Sequence, residues 1–340
     1  MATPTKSLSA AGRDATLSFE HSHRVPKPHV GAAALEVVTQ PQRLRMTWHA
    51  LAAAAGRTAR EQKLSAAIVF WTKSLRDPVA IGHWIDFVIK HHAAFSAEAP
   101  NVRVLRKPQR NYGVAGLSVK QRVSALISHY RFAARRLPAQ THNALLGVEQ
   151  IPLARLTARD TFFDLWLGSS LPFGQKQEGE LTVWLTNSEG ISLARMAFSF
   201  GEDAGGEPTL LIGGLQGLSA GVDKKVIVQA TRALSGLRPK DAVFVGVQAV
   251  GRAVGAVRLL AVANLTHVLA AEWFMSDSVI SRDYDGFWKE RGGEPEPGIG
   301  FALPMRDYGE RAAATPNPRL IDLHRAALTE KVMASLVTAK

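Results

Sequence analysis

The side chains best suited to acid–base chemistry lie in one central helix and in the last third of the chain. Tyr284 and Asp285, within the sequence DYDGFWKERGG, provide a phenol and a carboxylate, and His267 precedes them. A carboxylate or a neutral imidazole can accept a proton from a substrate amine, and a phenol can donate one. His129 lies beside the apolar stripe of a helix. We take these four residues as candidate catalytic residues.

Each candidate also has a structural interpretation. A histidine beside an apolar stripe is commonly a core or boundary residue, which would explain His129. Tyr284 and Trp288 could attach their loop to the core, and Asn264 could cap a helix in front of His267. The spacing within DYDGFWKERGG matches no specific catalytic motif, so both interpretations stay open.

A glycine-rich stretch, GGLQGLSAG, lies between an apolar run and a helix that Asp223 can cap. Glycines allow the backbone to approach an anion, and the unpaired N–H groups of a helix N-terminus attract it. This loop, residues 213–223, is therefore a candidate phosphate cradle, and a tight structural connection is the alternative. The candidate cofactor-binding residues are Gly213, Gly214, Gln216, Gly217, Gly221 and Lys224.

Hydrophobic periodicity predicts the elements around this loop. Residues 181–186 alternate apolar and polar side chains, a turn containing Gly190 follows, and the β-rich run 191–200 completes a hairpin. A third strand at 209–212 makes a meander. Downstream, the pattern predicts helices at 223–237, 242–255, 265–275 and 318–337 and strands at 257–263 and 298–304.

The first half of the chain has a different character. Residues 1–40 are polar and predict a flexible tail, and residues 41–140 predict a basic helical region with a linker at 101–112. Its final helix, 118–137, has apolar residues at spacings of three and four. A mixed sheet domain would occupy residues 141–340, although 139–180 show no clean period. The predicted fold is mixed α/β (α+β), with a mostly antiparallel central sheet and flanking helices.

Positive charge is concentrated in the helical region, residues 41–140, which contains 17 lysines and arginines but only four acidic residues. The net charge of the whole chain is +12. Such asymmetry suggests an anionic partner, and a membrane surface is the preferred candidate. Nucleic acid is disfavoured because no zinc-finger or RRM signature accompanies the charge. Solvated helix faces would explain the charge equally well.

The 340-residue chain contains no cysteine, which excludes disulfides, thiolate metal sites and a cysteine nucleophile. The N-terminus has no signal-peptide core, and no apolar run approaches twenty residues. We therefore expect a cytoplasmic protein, with attachment to the inner membrane surface as a hypothesis. No metal site is predicted.

Several segments resemble, in order, the VirK/YbjX family of bacterial proteins. They are LISHYRF, GELTVWL, AFSF, LLIGGLQG, LRPK, LLAVANLTHV, DYDGFW and FALP, and they span roughly residues 110–335. That family is a domain of unknown function with members linked to virulence and envelope stress. It supplies no established catalytic residues, so the resemblance assigns none here.

The order of elements is also similar to the acyl-CoA N-acyltransferase fold. In that fold, backbone N–H groups after the fourth strand hold the coenzyme A pyrophosphate. The analogy implies this role for residues 214–223, with Lys224 and Lys225 adding charge. Two hypotheses follow: an acyltransferase that uses acyl-CoA or another phosphorylated donor, and a non-catalytic factor attached to an anionic membrane.

Overall fold

A computed structural model describes residues 49, 51–56, 64–91, 102–146, 148–158, 160–203, 205–219, 221–270 and 283–337. The predicted tail, residues 1–40, lies outside this described part. Residues 51–56 are helical, and a 3₁₀ turn spans Lys107–Gln109. The α-helices are α1 (Leu64–Ser74), α2 (Pro78–Lys90), α3 (Val102–Leu105), α4 (Val119–Arg136), α5 (Ala139–Leu146), α6 (Lys225–Ala233), α7 (Pro239–Ala253), α8 (Tyr284–Lys289), α9 (Tyr308–Ala313) and α10 (Leu320–Val337).

The described strands form a single mixed sheet with the order β1-β2-β3-β4-β5-β6-β8-β7. All neighbouring pairs are antiparallel except β5 and β6, which run parallel. The predicted α+β fold with a mostly antiparallel sheet is therefore confirmed. The strands are β1 (Ile151–Ala158), β2 (Thr161–Ser169), β3 (Leu181–Asn187), β4 (Ser192–Glu202), β5 (Pro208–Gln216), β6 (Arg258–Val262), β7 (Glu294–Glu296) and β8 (Gly300–Leu303).

Local sequence signals explain where the helices begin. Ser118 and Gln121 form a capping box at the start of α4, which satisfies two backbone N–H groups that the helix cannot pair internally. Asp77 caps α2, and Pro78 occupies its first turn, where a missing N–H costs nothing. Asp223 accepts a hydrogen bond from the Lys225 N–H just before α6, but the N-cap residue is Lys224, and no side chain caps the helix as predicted for Asp223.

The predicted meander is confirmed as β3, β4 and β5. In the β3–β4 turn, the Asn187 side chain accepts bonds from the Glu189 and Ile191 N–H groups, and Gly190 adopts a φ of 77°. That φ is accessible to glycine at little cost. Because β5 and β6 are parallel, the chain must cross over between them, and it does so through α6 and α7.

Two hydrophobic clusters meet on α4. Val123, Leu126 and Ile127 pack with Trp84 and the other helices of the N-terminal half. One turn further along, Phe132 and Ala133 belong to the larger cluster between the sheet, α7 and α10. Helix α4 thus belongs to both cores.

The structure corrects two predictions of local structure. The third strand does not end at residue 212 but continues to Gln216, so Gly213 and Gly214 are strand residues. The helix predicted at 265–275 is absent over 265–269, which form turns, and residues 271–275 lie outside the described part. Backbone bonding to neighbouring segments outweighed local periodicity at both places.

Residues 139–180, which show no clean period, contain α5, β1 and β2. The predicted linker at 101–112 contains α3 and the 3₁₀ turn. Among the helices of the described residues, none combines the length and apolar character required to cross a bilayer.

Candidate active site

The candidate site lies where the parallel strands β5 and β6 stop pairing. The two strands pair from Thr209 to Ile212 on β5, and β5 then continues alone beside β4. The Tyr284 hydroxyl, on α8, accepts from the Leu215 N–H and donates to the Leu215 carbonyl, both at 3.1 Å. The Tyr284 side chain therefore supplies the hydrogen bonds that the β5 backbone would otherwise make with a neighbouring strand.

The segment Glu178–Glu180, which ends a turn, lies directly on the sheet at this point. A Cβ on Gly179 would overlap the backbone of Phe198, and a Cβ on Gly213 would overlap the Glu178 carbonyl. A Cβ on Gly214 would overlap the Glu178 carboxylate. Glycine is required here because one backbone approaches another. The register between β4 and β5 also shifts at Gly213, consistent with a β-bulge.

The Glu178 carboxylate is buried and held by polar side chains. It accepts hydrogen bonds from the amide groups of Gln175 and Gln216, the latter at 3.2 Å. The Nε2 atom of His267 lies 3.5 Å from Glu178 Oε1. The Gln216 carbonyl in turn accepts from Arg195 at 2.6 and 3.0 Å. We call these residues the Glu178 site.

His267 has a defined orientation because its Nδ1 accepts the Leu269 N–H at 3.1 Å. In a neutral ring this leaves the proton on Nε2, which points to Glu178. The ring also stacks on Tyr284, with centroids 5.3 Å apart. A carboxylate beside a histidine of fixed orientation can take a proton from a substrate, provided that the substrate reaches it.

Asp285 holds the backbone next to Tyr284 and His267 in place. Its carboxylate accepts the Asn264 N–H at 2.8 Å, and the Asn264 side chain accepts the Tyr284 N–H at 3.0 Å. These bonds attach the start of α8 to the end of β6. Tyr284 and Trp288 are both buried and pack in the larger hydrophobic cluster.

A second buried carboxylate, Glu180, has partners different from those of Glu178. It forms an ion pair with Lys107 and accepts the Tyr130 hydroxyl. Burial opposes ionisation of Glu180, but the Lys107 ammonium and the hydrogen bonds outweigh it and lower its pKa. Burial, followed by the Glu180 charge, raises the pKa of Tyr112 and Tyr130 well above 10. We call these residues the Glu180 cluster.

His129 belongs near the Glu180 cluster and not to the Glu178 site. Its Nδ1 accepts the Phe200 N–H at 3.1 Å, and its ring stacks on the Phe200 ring. Burial lowers the pKa of His129 to about 4, so the ring is neutral near pH 7. The structure thus brings together His267, Tyr284 and Asp285 and separates His129 from them.

The predicted cofactor-binding residues divide into two groups. Gly213, Gly214 and Gln216 lie in β5 and contact Glu178, so they do not form a loop in front of a helix. Gly217, Gly221 and Lys224 follow the strand. A Cβ on Gly217 would lie at an ordinary 3.5 Å from Lys240 Cε, and Gly221 adopts a φ of 85°. Lys224 is exposed at the start of α6.

Sequence reasoning missed Glu178, Gln175 and Glu180. Their segment, GQKQEGE, is polar and looks like an ordinary loop between strands. The sequence does contain one signal: Glu178 and Glu180 flank a glycine immediately before residues 181–186, which alternate apolar and polar side chains. Glu178 is buried against glycines more than thirty residues away, and Glu180 against Lys107 and Tyr130, so no local pattern shows their burial.

These features define a class: an α+β protein whose mixed sheet carries a buried carboxylate and histidine where its parallel strands part. A model of the family described as "Protein of unknown function (DUF535)" matches residues 59–313. The match covers well over half of the chain, so the chain belongs to this family.

Two bacterial proteins support the assignment. The "Uncharacterized protein YbjX" of Escherichia coli is 32% identical over 217 residues, covering 61% of this chain and 65% of that protein. An "Uncharacterized protein" of Haemophilus influenzae is 26% identical over 184 residues, covering 52% and 57%. The aligned region therefore spans less than two thirds of each relative. The resemblance to the VirK/YbjX family is confirmed.

Proposed function

We propose that this protein is an acyl-CoA-dependent acyltransferase acting on an amine, with Glu178 as the general base. The observation that carries the proposal is the buried carboxylate, held beside His267, where β5 and β6 separate. Ligands of open α/β sheets commonly bind at the carboxyl ends of parallel strands, which is where this carboxylate lies.

The reaction requires few groups from the protein. Glu178 takes a proton from the acceptor ammonium, and the resulting amine attacks the thioester carbonyl. A carbon–nitrogen bond forms and the carbon–sulfur bond breaks. The nitrogen loses a second proton, which the departing thiolate takes to become the coenzyme A thiol, and Glu178 releases the first proton to solvent. His267 acts as a positioning residue, because it contacts the carboxylate through Nε2.

The segment after β5 supports the binding of a phosphorylated donor. It connects the strand to α6, whose N-terminus carries the positive end of the helix dipole. Lys224 and Lys225 add charge at that end. Since Gly213 and Gly214 contact Glu178, the proposal assigns the phosphate to residues 217–225.

Calorimetry with acetyl-coenzyme A and measurement of thiol release test this function. Glu178→Gln should retain ligand binding and lose at least tenfold in turnover, because the amide cannot accept the proton. Glu189→Gln, the same change in an exposed turn, should leave both unaffected. Absence of acetyl-coenzyme A binding at millimolar concentration by folded protein would refute the proposal.

A second candidate function, attachment to an anionic membrane, is favoured by α1. This helix and the residue that follows it expose large apolar side chains, with Leu64 71% exposed, Ile68 56% and Leu75 58%. They follow helical spacing within the basic region, as in helices that lie in the membrane interface. The Ile68→Ser/Leu75→Ser variant should float less with phosphatidylglycerol vesicles than the wild type. Flotation that is equal for both proteins would exclude α1 as the attachment surface.

A further inference from the structure

A cleft rich in arginine lies outside the Glu178 site. It has a volume of about 410 Å³ and is formed by the first half of α7, the residues after α8, α9 and its flanks, and the start of α10. Six arginines line it: Arg238, Arg291, Arg306, Arg311, Arg319 and Arg325. We call it the arginine cleft. Its volume is in the range of small-molecule sites.

The carboxylates of the cleft neutralise only part of this charge. Asp241 pairs with Arg291. Asp322 pairs with Arg319 at 3.2 Å and with Arg325 at 3.1 Å. Glu290, the third acidic residue of the lining, lies 3.3 Å from Arg291. Six arginines thus face three carboxylates, which leaves a local charge of about +3.

Three arginines carry the excess. Within the described part of the chain, Arg238, Arg306 and Arg311 form no ion pair with a carboxylate. Crowded like charges repel each other, and the repulsion is stronger in a cleft than in open water. A bound anion would relieve this repulsion.

Two of these arginines, Arg291 and Arg306, have guanidinium groups that are held in place by contacts with the protein. The Arg291 Nε donates to Asp241 at 2.9 Å, and its guanidinium lies 3.3 Å from the centroid of the Phe287 ring. The backbone N–H of Arg306 donates to the Gln248 side chain at 3.0 Å, and the Arg306 guanidinium donates through Nη2 to the Arg291 carbonyl, also at 3.0 Å. Fixed guanidinium groups lose less entropy on binding.

We propose that the arginine cleft binds a phosphoryl or pyrophosphoryl group that carries at least two negative charges. The planar guanidinium presents paired donors that match phosphate oxygens, so several arginines can contact one such group. The same chemistry is offered by a free phosphorylated molecule and by an acidic lipid headgroup. The proposal is independent of acyl transfer, because the cleft shares no residue with the Glu178 site.

Inorganic pyrophosphate is the first probe, applied by calorimetry and thermal unfolding at low ionic strength. The wild type should bind it and melt at higher temperature, since a ligand of the native state stabilises that state. Arg238→Gln/Arg311→Gln should weaken binding at least tenfold while remaining folded, because both side chains are exposed and unpaired. Added salt should also weaken binding.

The matched control is Lys120→Gln/Arg232→Gln, which removes the same charge from exposed positions outside the cleft. It should bind pyrophosphate as the wild type does. Equal weakening in both double variants would attribute binding to overall charge and overturn the proposal.

Vesicles of phosphatidic acid, compared with phosphatidylcholine, distinguish the two sources of the phosphoryl group. Binding to phosphatidic acid that is lost in the cleft variant would assign a lipid headgroup, and binding to pyrophosphate alone would assign a soluble ligand. Binding to neither probe at millimolar concentration would overturn the proposal.

Discussion

At the scale of single residues, the glycines after position 212 have two different physical roles. Gly213 is fixed by the close approach of the Glu178 backbone, whereas Gly217 faces only the flexible end of Lys240. A glycine that contacts a backbone cannot gain a methyl group without moving that backbone. The same residue type therefore tolerates substitution very differently four positions apart.

Gly213→Ala should lower the free energy of unfolding by about 3 kcal/mol, at the upper end of overpacking costs. Gly217→Ala should change it by less than about 1 kcal/mol, because its Cβ meets an ordinary contact and its φ is not left-handed. Urea denaturation of both variants measures the difference. Equal costs would contradict the close approach at Gly213.

Burial of His129 predicts a pH dependence. Its pKa is about 4 in the folded protein against 6.5 in the unfolded chain, so the unfolded chain binds more protons between these values. Stability must then fall as the pH falls from 6.5 towards 4, by up to about 3 kcal/mol from this residue. Glu180, whose pKa is also lowered, acts in the same direction at lower pH.

The variant His129→Gln removes this titration and keeps an acceptor for the Phe200 N–H. Its unfolding free energy should decline less steeply between pH 6.5 and 4 than that of the wild type. Denaturation at several pH values provides both curves. Parallel curves would show that His129 does not titrate as its burial requires.

At the scale of elements, the Glu180 cluster connects the helical half of the chain to the sheet. Lys107 follows α3, whereas Glu180 directly precedes β3, and in their ion pair the side chains are 16% and 4% exposed. Removal of one partner leaves a buried charge, which commonly costs 3–5 kcal/mol. An exposed pair, Arg135 with Glu202, also connects α4 to β4.

Lys107→Met should therefore destabilise the protein by about 3 kcal/mol, and Arg135→Met by less than about 1 kcal/mol. Both variants remove one positive charge from a link between helices and sheet, so they differ mainly in burial. Chemical denaturation gives the two values. A loss at Arg135 as large as that at Lys107 would refute burial as the cause.

At the scale of the whole molecule, α4 contributes side chains to both large hydrophobic clusters. The helices of the N-terminal half and the sheet should therefore unfold together. Native-state hydrogen exchange measures this. If the two parts unfold together, the most protected amides of α2 and of β4 should exchange with the same free energy of opening, that of global unfolding. Exchange of α2 at a clearly lower free energy would show that the two parts unfold separately.

The sequence by itself determined most of the individual elements. The alternation of residues 181–186 and the apolar spacing within 118–137 and 242–255 predicted β3, α4 and the body of α7. These signals lie within one turn or one strand. The motifs after residue 110 also indicated the family.

Only the tertiary structure decided the candidate sites. Glu178 and Gly214 are distant in sequence, and their contact exists because the chain before β3 crosses the face of β5. The arginine cleft likewise combines α7, the residues after α8 and the start of α10. Periodicity reports which face of an element is buried but not which other segment covers it. The glycines of β5 therefore looked like a phosphate loop until the structure revealed the carboxylate against them.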